Sequence, residues 1–207
     1  RELADIFYEK LTRSMSKRSG NIIAAPKNTP LPWWATLKKN INRSNILLPL
    51  NFDKDLAYEL IYRVNIILKN FPELFVYIRS HPLLNKKELK EFLYEINMTN
   101  YQYANNGSIQ DWLASTDMVI TTGGSVVILE TVIMGVPLIR MLPHNNFFLD
   151  PFAWADYPIK PVNSPEEMKN AINLILGTKK DKNKFQTIGR DVLINYFTEI
   201  NKNNMKV

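Results

Sequence analysis

Five consecutive residues have the types and the order to hold a phosphate. Thr121-Thr122-Gly123-Gly124-Ser125 stands between an apolar run and an apolar helical pattern. Two glycines let a backbone approach a ligand closely. The free N–H groups and the dipole of a following helix attract an anion. Thr122 and Ser125 add hydroxyl donors. The pattern is not G-x-G-x-x-G and no P-loop lysine follows, so those two nucleotide motifs do not apply. A tight turn with an ordinary serine cap uses the same residues, and spacing alone leaves both readings open.

Glu130 comes five residues after Ser125, among Leu129, Thr131, Val132 and Ile133. A carboxylate in so apolar a stretch needs a partner. A vicinal diol such as a ribose would supply two donors. A buried salt bridge or an exposed helix face are the alternatives. His81 follows an apolar run and precedes Pro82, which fixes the loop. A histidine there can donate to a phosphate oxygen as it leaves, or carry a proton near neutral pH. A packed loop histidine is the competing reading. His144 and Asn145 open a segment with Asp150, Asp156 and several aromatics, either a lid over a ligand or an interface loop. Trp33 and Trp34 fit anchors to a further domain better than a stacking platform. Asp111-Trp112 reads as helix surface, and Asp117 as a loop cap.

These residues need a scaffold, and the alternation of the chain predicts one. Apolar runs at 46–50, 75–79, 118–121 and 136–141 read as buried parallel strands, with weaker ones at 101–104 and 159–162. Between them lie helical patterns over 53–70, 86–96, 108–114 and 125–134, and two more follow over 164–176 and 185–197. Asn51 and Asp53, Ser108, and Ser164 with Pro165 mark starts. The fold class is therefore α/β: a Rossmann-like parallel sheet of about six strands with helices on both faces. Ligands of such sheets bind beyond the carboxyl ends of the strands. That places Asn51-Phe52, Ser80-His81-Pro82, Thr122 to Ser125 and the loop from Leu142 on one edge. Residues 1–44 read as an amphipathic helix and a Pro/Trp-rich linker, 45–180 as the Rossmann-like domain, and 181–207 as a C-terminal helix and tail. The chain starts at Arg1, and it is expected to be part of a longer protein.

Composition bounds the chemistry. The chain has 207 residues, 45% hydrophobic and 22% charged, enough to bury a core. It has no Cys, which excludes disulfides, thiolate metal sites and a cysteine nucleophile. Two His make a multi-histidine metal centre implausible, and no metal or cofactor is expected. A net charge of +6 suits nucleic acid, an anionic membrane surface or phosphorylated small molecules. The basic residues are scattered in pairs such as Lys38-Lys39, Lys86-Lys87 and Lys179-Lys180, so nucleic acid is not the expected partner. No 18-residue apolar run exists to span a membrane.

Together these residues resemble the C-terminal, donor-binding domain of GT-B fold glycosyltransferases, from Asn45 to about Phe197. The likeness rests on Phe75-Val76-Tyr77-Ile78-Arg79-Ser80-His81-Pro82, on Ser115 to Thr121, and on Gly123-Gly124-Ser125 through Glu130 to Gly135-Val136-Pro137. The strand ending in His-Pro is similar to that of bacterial capsule and teichoic-acid transferases. The small-residue turn, the helix glutamate and Gly-Val-Pro are similar to nucleotide-sugar 2-epimerases. The resemblance implies that His81, Pro82, Thr122, Gly123, Gly124 and Ser125 hold the nucleotide phosphates. It implies that Glu130 holds ribose and that His81 also serves catalysis. It implies an enzyme using a nucleotide-sugar donor and a carbohydrate or lipid-linked acceptor in surface polysaccharide synthesis. A 2-epimerase, a glycerophosphate polymer transferase and a non-catalytic nucleotide-binding or docking domain are the alternatives. The implied location is cytoplasmic, with peripheral contact at the inner face of the membrane as a variant. The acceptor-binding domain of that family, which often supplies the catalytic base, has no counterpart here beyond residues 1–44.

The turn gives the first test. Gly124→Val should abolish nucleotide binding in a folded protein, because a β-branched side chain would fill the phosphate space. Calorimetric titration checks it, and unchanged affinity would remove the phosphate assignment.

Overall fold

The computed structural model describes residues 43–122, 126–144, 152, 157–177, 185, 187 and 188. The expected helix and linker of residues 1–42, including Trp33 and Trp34, lie outside them. So does most of the expected last helix. Five parallel strands form one sheet in the order β3-β2-β1-β4-β5. They are β1 (Ser44–Pro49), β2 (Leu74–Arg79), β3 (Tyr101–Tyr103), β4 (Met118–Thr122) and β5 (Leu138–Met141). The helices are α1 (Lys54–Leu68), α2 (Lys86–Glu95), α3 (Ile109–Ser115), α4 (Val126–Ile133) and α5 (Pro165–Gly177).

The sheet grows in both directions from β1. Ser44 to Pro49 pair with Leu74 to Arg79 on one side, and Ile46 and Leu47 pair with Met118 and Val119 on the other. Ile46, Leu47, Leu48, Val119 and Ile120 are fully buried, as central parallel strands covered on both faces must be. Right-handed crossovers running in opposite directions put their helices on opposite faces. Accordingly Tyr58 of α1 stacks on Phe92 of α2, with ring centroids 4.2 Å apart, and α1 packs on α5. On the other face α3 packs on α4, and Trp112 of α3 meets Tyr77 of β2 at 5.0 Å.

Side chains close the helix starts. Asp53 accepts from the N–H groups of Asp55 and Leu56, and Asn85 accepts from those of Lys87 and Glu88. Ser108 and Asp111 form a reciprocal capping box on α3. Ser164 accepts from the N–H of Glu167 at 3.2 Å, ahead of Pro165.

Two expectations are corrected. The sixth strand at 159–162 is a single bridge between Val162 and Met141. Pro161 has no N–H to donate to a ladder, and the Ile159 carbonyl accepts from the buried Arg140 guanidinium at 2.7 Å. Trp112 is core rather than helix surface. Its indole N–H donates to the Asn106 carbonyl at 2.6 Å. Asp117 does serve a backbone amide, accepting from the N–H of Asn45 at 2.9 Å where β1 begins. No described helix is long and apolar enough to cross a membrane.

Since β1 pairs on both sides, a void there should be felt throughout the sheet. Leu47→Ala should cost about 2–5 kcal/mol, while Tyr94→Ala, at a side chain 84% exposed, should change stability by less than about 0.5 kcal/mol. Urea unfolding of both variants checks the contrast. Equal losses would mean that β1 is not the structural centre.

Candidate functional site

The reversal of strand order lies between β1 and β4, and the loops beyond their carboxyl ends frame the site. The Leu50 N–H continues past β1 to the Arg79 carbonyl at 2.9 Å, which ties the first two loops together. Asn51 folds its loop locally, its side-chain oxygen accepting from the Asp53 N–H at 3.1 Å. Phe52 is largely exposed and sets its ring edge against His81, 6.0 Å between centroids at 61°.

His81 is half-buried and tightly held. Its carbonyl accepts from the Leu84 N–H at 3.0 Å, and its Nδ1 accepts from the Leu83 N–H at 3.2 Å. With Nδ1 engaged as an acceptor, the neutral ring carries its proton on Nε2. The turn that supplies the Leu83 N–H runs through the exposed Pro82. The imidazole is thus an oriented donor.

At the end of β4, Thr121 and Thr122 are both buried. The Thr121 hydroxyl faces the Pro49 carbonyl at 3.2 Å, joining β4 to β1 at the reversal. Gly123, Gly124 and Ser125 lie outside the described residues, and α4 begins at the next residue, Val126.

Glu130 is in the second turn of α4 and only 8% exposed. The exposed-face alternative is therefore excluded. Its Oε1 accepts from Nε2 of Gln110, in the first turn of α3, at 3.0 Å. Burial pushes its carboxyl above the usual value, while the Gln110 hydrogen bond and the nearby Arg79 guanidinium work the other way. Arg79, the last residue of β2, directs its guanidinium to the carbonyls of Ala104 at 3.1 Å and Gly107 at 3.2 Å. Asp111 is engaged in the α3 capping box. No ion pair to Glu130 exists among the described residues, so its nearest partner is a neutral amide.

His144 is exposed, and its backbone N–H donates to the Glu59 carboxylate of α1 at 3.1 Å. Glu59 also pairs with Arg63, which holds the carbonyls of Leu142 at 3.3 Å and Asn163 at 2.8 Å. The start of this segment, read from the sequence as a lid or an interface loop, is thus fastened to α1. Asn145 lies outside the described residues.

The structure places His81 and Pro82 beside Phe52, and Glu130 on the helix that follows β4. No hydrogen bond or ring contact joins His81 to Glu130 among the described residues. Gln110 and Arg79 escaped the sequence reading. Gln110 sits two residues beyond the Ser108 cap, in the first turn of a helix that starts at the ligand edge, and that was the available signal.

The Glu130 environment sets a sign for pH dependence. A carboxyl held above its unfolded value of about 4.5 binds its proton more tightly in the folded state. Its contribution to stability is then present at low pH and is lost as pH rises through the carboxylate range. Glu130→Gln removes that loss. The melting temperature of Glu130→Gln minus that of the wild type should rise between pH 4 and pH 7. A difference that stays flat or falls would contradict the burial of a titrating carboxylate.

No family model matches the chain, and no curated protein matches it in sequence. Solved structures match it in fold. TarM from S. aureus, crystallised as a mutant with fondaparinux, α-GlcNAc-glycerol and UDP, superposes with TM-score 0.59 at 12% identity, over 74% of this chain and 32% of that one. The catalytic domain of cholesterol-α-glucosyltransferase from Helicobacter pylori gives 0.54 at 11% identity, over 72% and 98%. A Listeria monocytogenes protein assigned as a UDP-N-acetylglucosamine 2-epimerase gives 0.52 at 14%, over 79% and 43%. The chain spans less than half of the TarM and epimerase chains and nearly all of the H. pylori domain. At these identities the likeness speaks for architecture: the described domain has the Rossmann-like fold seen in GT-B glycosyltransferases and in a 2-epimerase.

Proposed function

We propose that the chain is the donor-binding domain of a glycosyltransferase that moves a sugar from a nucleotide-sugar to a hydroxyl acceptor. The observation that carries the reading is Glu130. It is a buried carboxylate with one neutral partner, on the helix that leaves the sheet at the reversal of strand order. Such a group has acceptor capacity left for the hydroxyls of a ribose. The TarM complex with UDP supports the same reading by analogy of fold. His81 would donate from Nε2 to the departing phosphate, and the amides of Gly123, Gly124 and Ser125 would meet the remaining phosphate charge.

In the reaction the bond from the anomeric carbon to the phosphate oxygen breaks, and its electron pair leaves with the nucleoside diphosphate. The acceptor hydroxyl oxygen bonds to that carbon and gives up its proton to a base on another part of the protein. Synthesis of a surface polysaccharide is the role in which we place it. The fold likeness to a 2-epimerase supports a second reading, in which the sugar is isomerised at C2 rather than transferred. Product analysis separates the two.

His81 separates catalysis from binding alone. In the protein carrying its acceptor-binding half, His81→Ala should lower turnover at saturating donor by about a hundredfold, as for one lost transition-state donor. Nucleotide-sugar affinity should fall far less, and His81→Asn should recover part of the rate. Turnover and calorimetry on the three proteins check this. Wild-type turnover in His81→Ala would return His81 to loop packing, and parallel losses of rate and affinity would make it a binding residue only.

A further inference from the structure

Gln110 has a position that the proposed reaction does not yet use. It is partly buried in the first turn of α3, and its side-chain NH₂ points at the Glu130 carboxylate, 3.0 Å from Oε1. An ionised carboxylate only accepts hydrogen bonds, so it fixes which end of the amide faces it. The amide oxygen is thereby turned away from Glu130. Among the described residues no hydrogen bond uses that oxygen or the Oε2 of Glu130. The other charged groups nearby are committed elsewhere: Arg79 of β2 to Ala104 and Gly107, and Asp111 of α3 to Ser108. One hydrogen bond between α3 and α4 therefore links two side chains that each keep an acceptor oxygen uncommitted, one charged and one neutral.

We propose that Gln110 and Glu130 act as a pair that recognises the two adjacent hydroxyls of a ribose, Glu130 Oε2 taking one and the Gln110 amide oxygen the other. This rests on reading Glu130 as the ribose contact. Gln110 adds specificity in two ways. It supplies the second acceptor, and it stops the Glu130 carboxylate from rotating away from the first. A hydroxyl missing from the ligand leaves one of these oxygens without its donor, which is how a polar site rejects an analogue.

The probes are the diphosphates of uridine, adenosine, guanosine and cytidine, each with its 2′,3′-dideoxy form. The quantity read is the ratio of ribo to dideoxy affinity, by calorimetry on the 207-residue chain, so that phosphate titration cancels. In the wild type the ratio should exceed about tenfold for the preferred base, as for hydrogen bonds to a charged group. Gln110→Ala, with its fold checked by thermal melting, should lower the ratio severalfold, leaving the part that Glu130 alone supplies. Gln110→Glu keeps the size and places a second carboxylate beside the first, and two such groups resist full ionisation. Its ratio should fall as pH rises from 5 to 8, where the wild-type ratio rises or holds. A wild-type preference for ribose that persists undiminished in Gln110→Ala and stays level with pH in Gln110→Glu overturns the pair and leaves Glu130 as the sole ribose contact. A wild type that binds both forms equally, or no diphosphate at all, overturns the ribose reading itself.

Discussion

Parallel strands cannot be joined by a tight turn, because the chain must travel back along the sheet before running the same way again. Here each return is made by a helix, and the hand of the crossover fixes its face. Strand order β3-β2-β1-β4-β5 then makes the connections leaving β1 and β4 diverge to opposite faces. The divergence opens a crevice at the carboxyl edge of the sheet. The Thr121 hydroxyl at the Pro49 carbonyl spans its floor at 3.2 Å. The helix starts at Asp53, Asn85 and Ser108 have their N–H groups taken by their own caps. An anion at those starts would have to displace a side chain already in place.

Two arginines near this edge show how context decides what a buried charge does. Arg140 lies inside the sheet, over the rings of Tyr157 at 5.0 Å and Phe152 at 5.7 Å, and binds the Ile159 carbonyl. It fastens the segment after β5 to the sheet, in place of a sixth strand. Arg79 lies at the strand end and gathers the loop between β3 and α3 through two carbonyls. That loop leads into Ser108 and then Gln110. The position of the Gln110 amide therefore depends on a guanidinium that never touches it. Arg79 points its guanidinium at two backbone oxygens, and Glu130 has no direct cationic partner among the described residues.

Much of this scaffold was legible in the residues. Runs such as Ile46-Leu47-Leu48 are apolar at every position, which only a strand covered on both faces requires. Caps were legible because Asp53, Ser108 and Ser164 each precede a periodic run. The 159–162 segment misled, since Ile159 and Val162 look like strand while Pro161 withholds the donor a ladder needs. Trp112 misled for another reason. Ile109, Trp112 and Leu113 do form an i, i+3, i+4 face, but the helix is seven residues long and its flanks are polar, so the buried side was easily taken for the outer one. In the site, Glu130 stood out as a lone carboxylate among aliphatics. Gln110 did not, because a neutral polar residue at a helix start has no compositional signature. Its meaning comes from the packing of α3 on α4, which is a long-range property.

The choice of an amide rather than a cation beside Glu130 has a physical consequence for selectivity. An arginine or lysine at 3 Å would take up much of the carboxylate's field and leave little for a neutral ligand. An amide orients the carboxylate with a single hydrogen bond and leaves its charge in place. Burial then works in two directions at once. It raises the cost of ionising Glu130, and it strengthens any hydrogen bond that an ionised Glu130 makes. A hydroxyl-bearing ligand that enters the crevice supplies the missing donors without bringing a countercharge. On the proposed reading, a ligand hydroxyl completes the hydrogen bonding of this carboxylate, so a diol binds better than an analogue that lacks it.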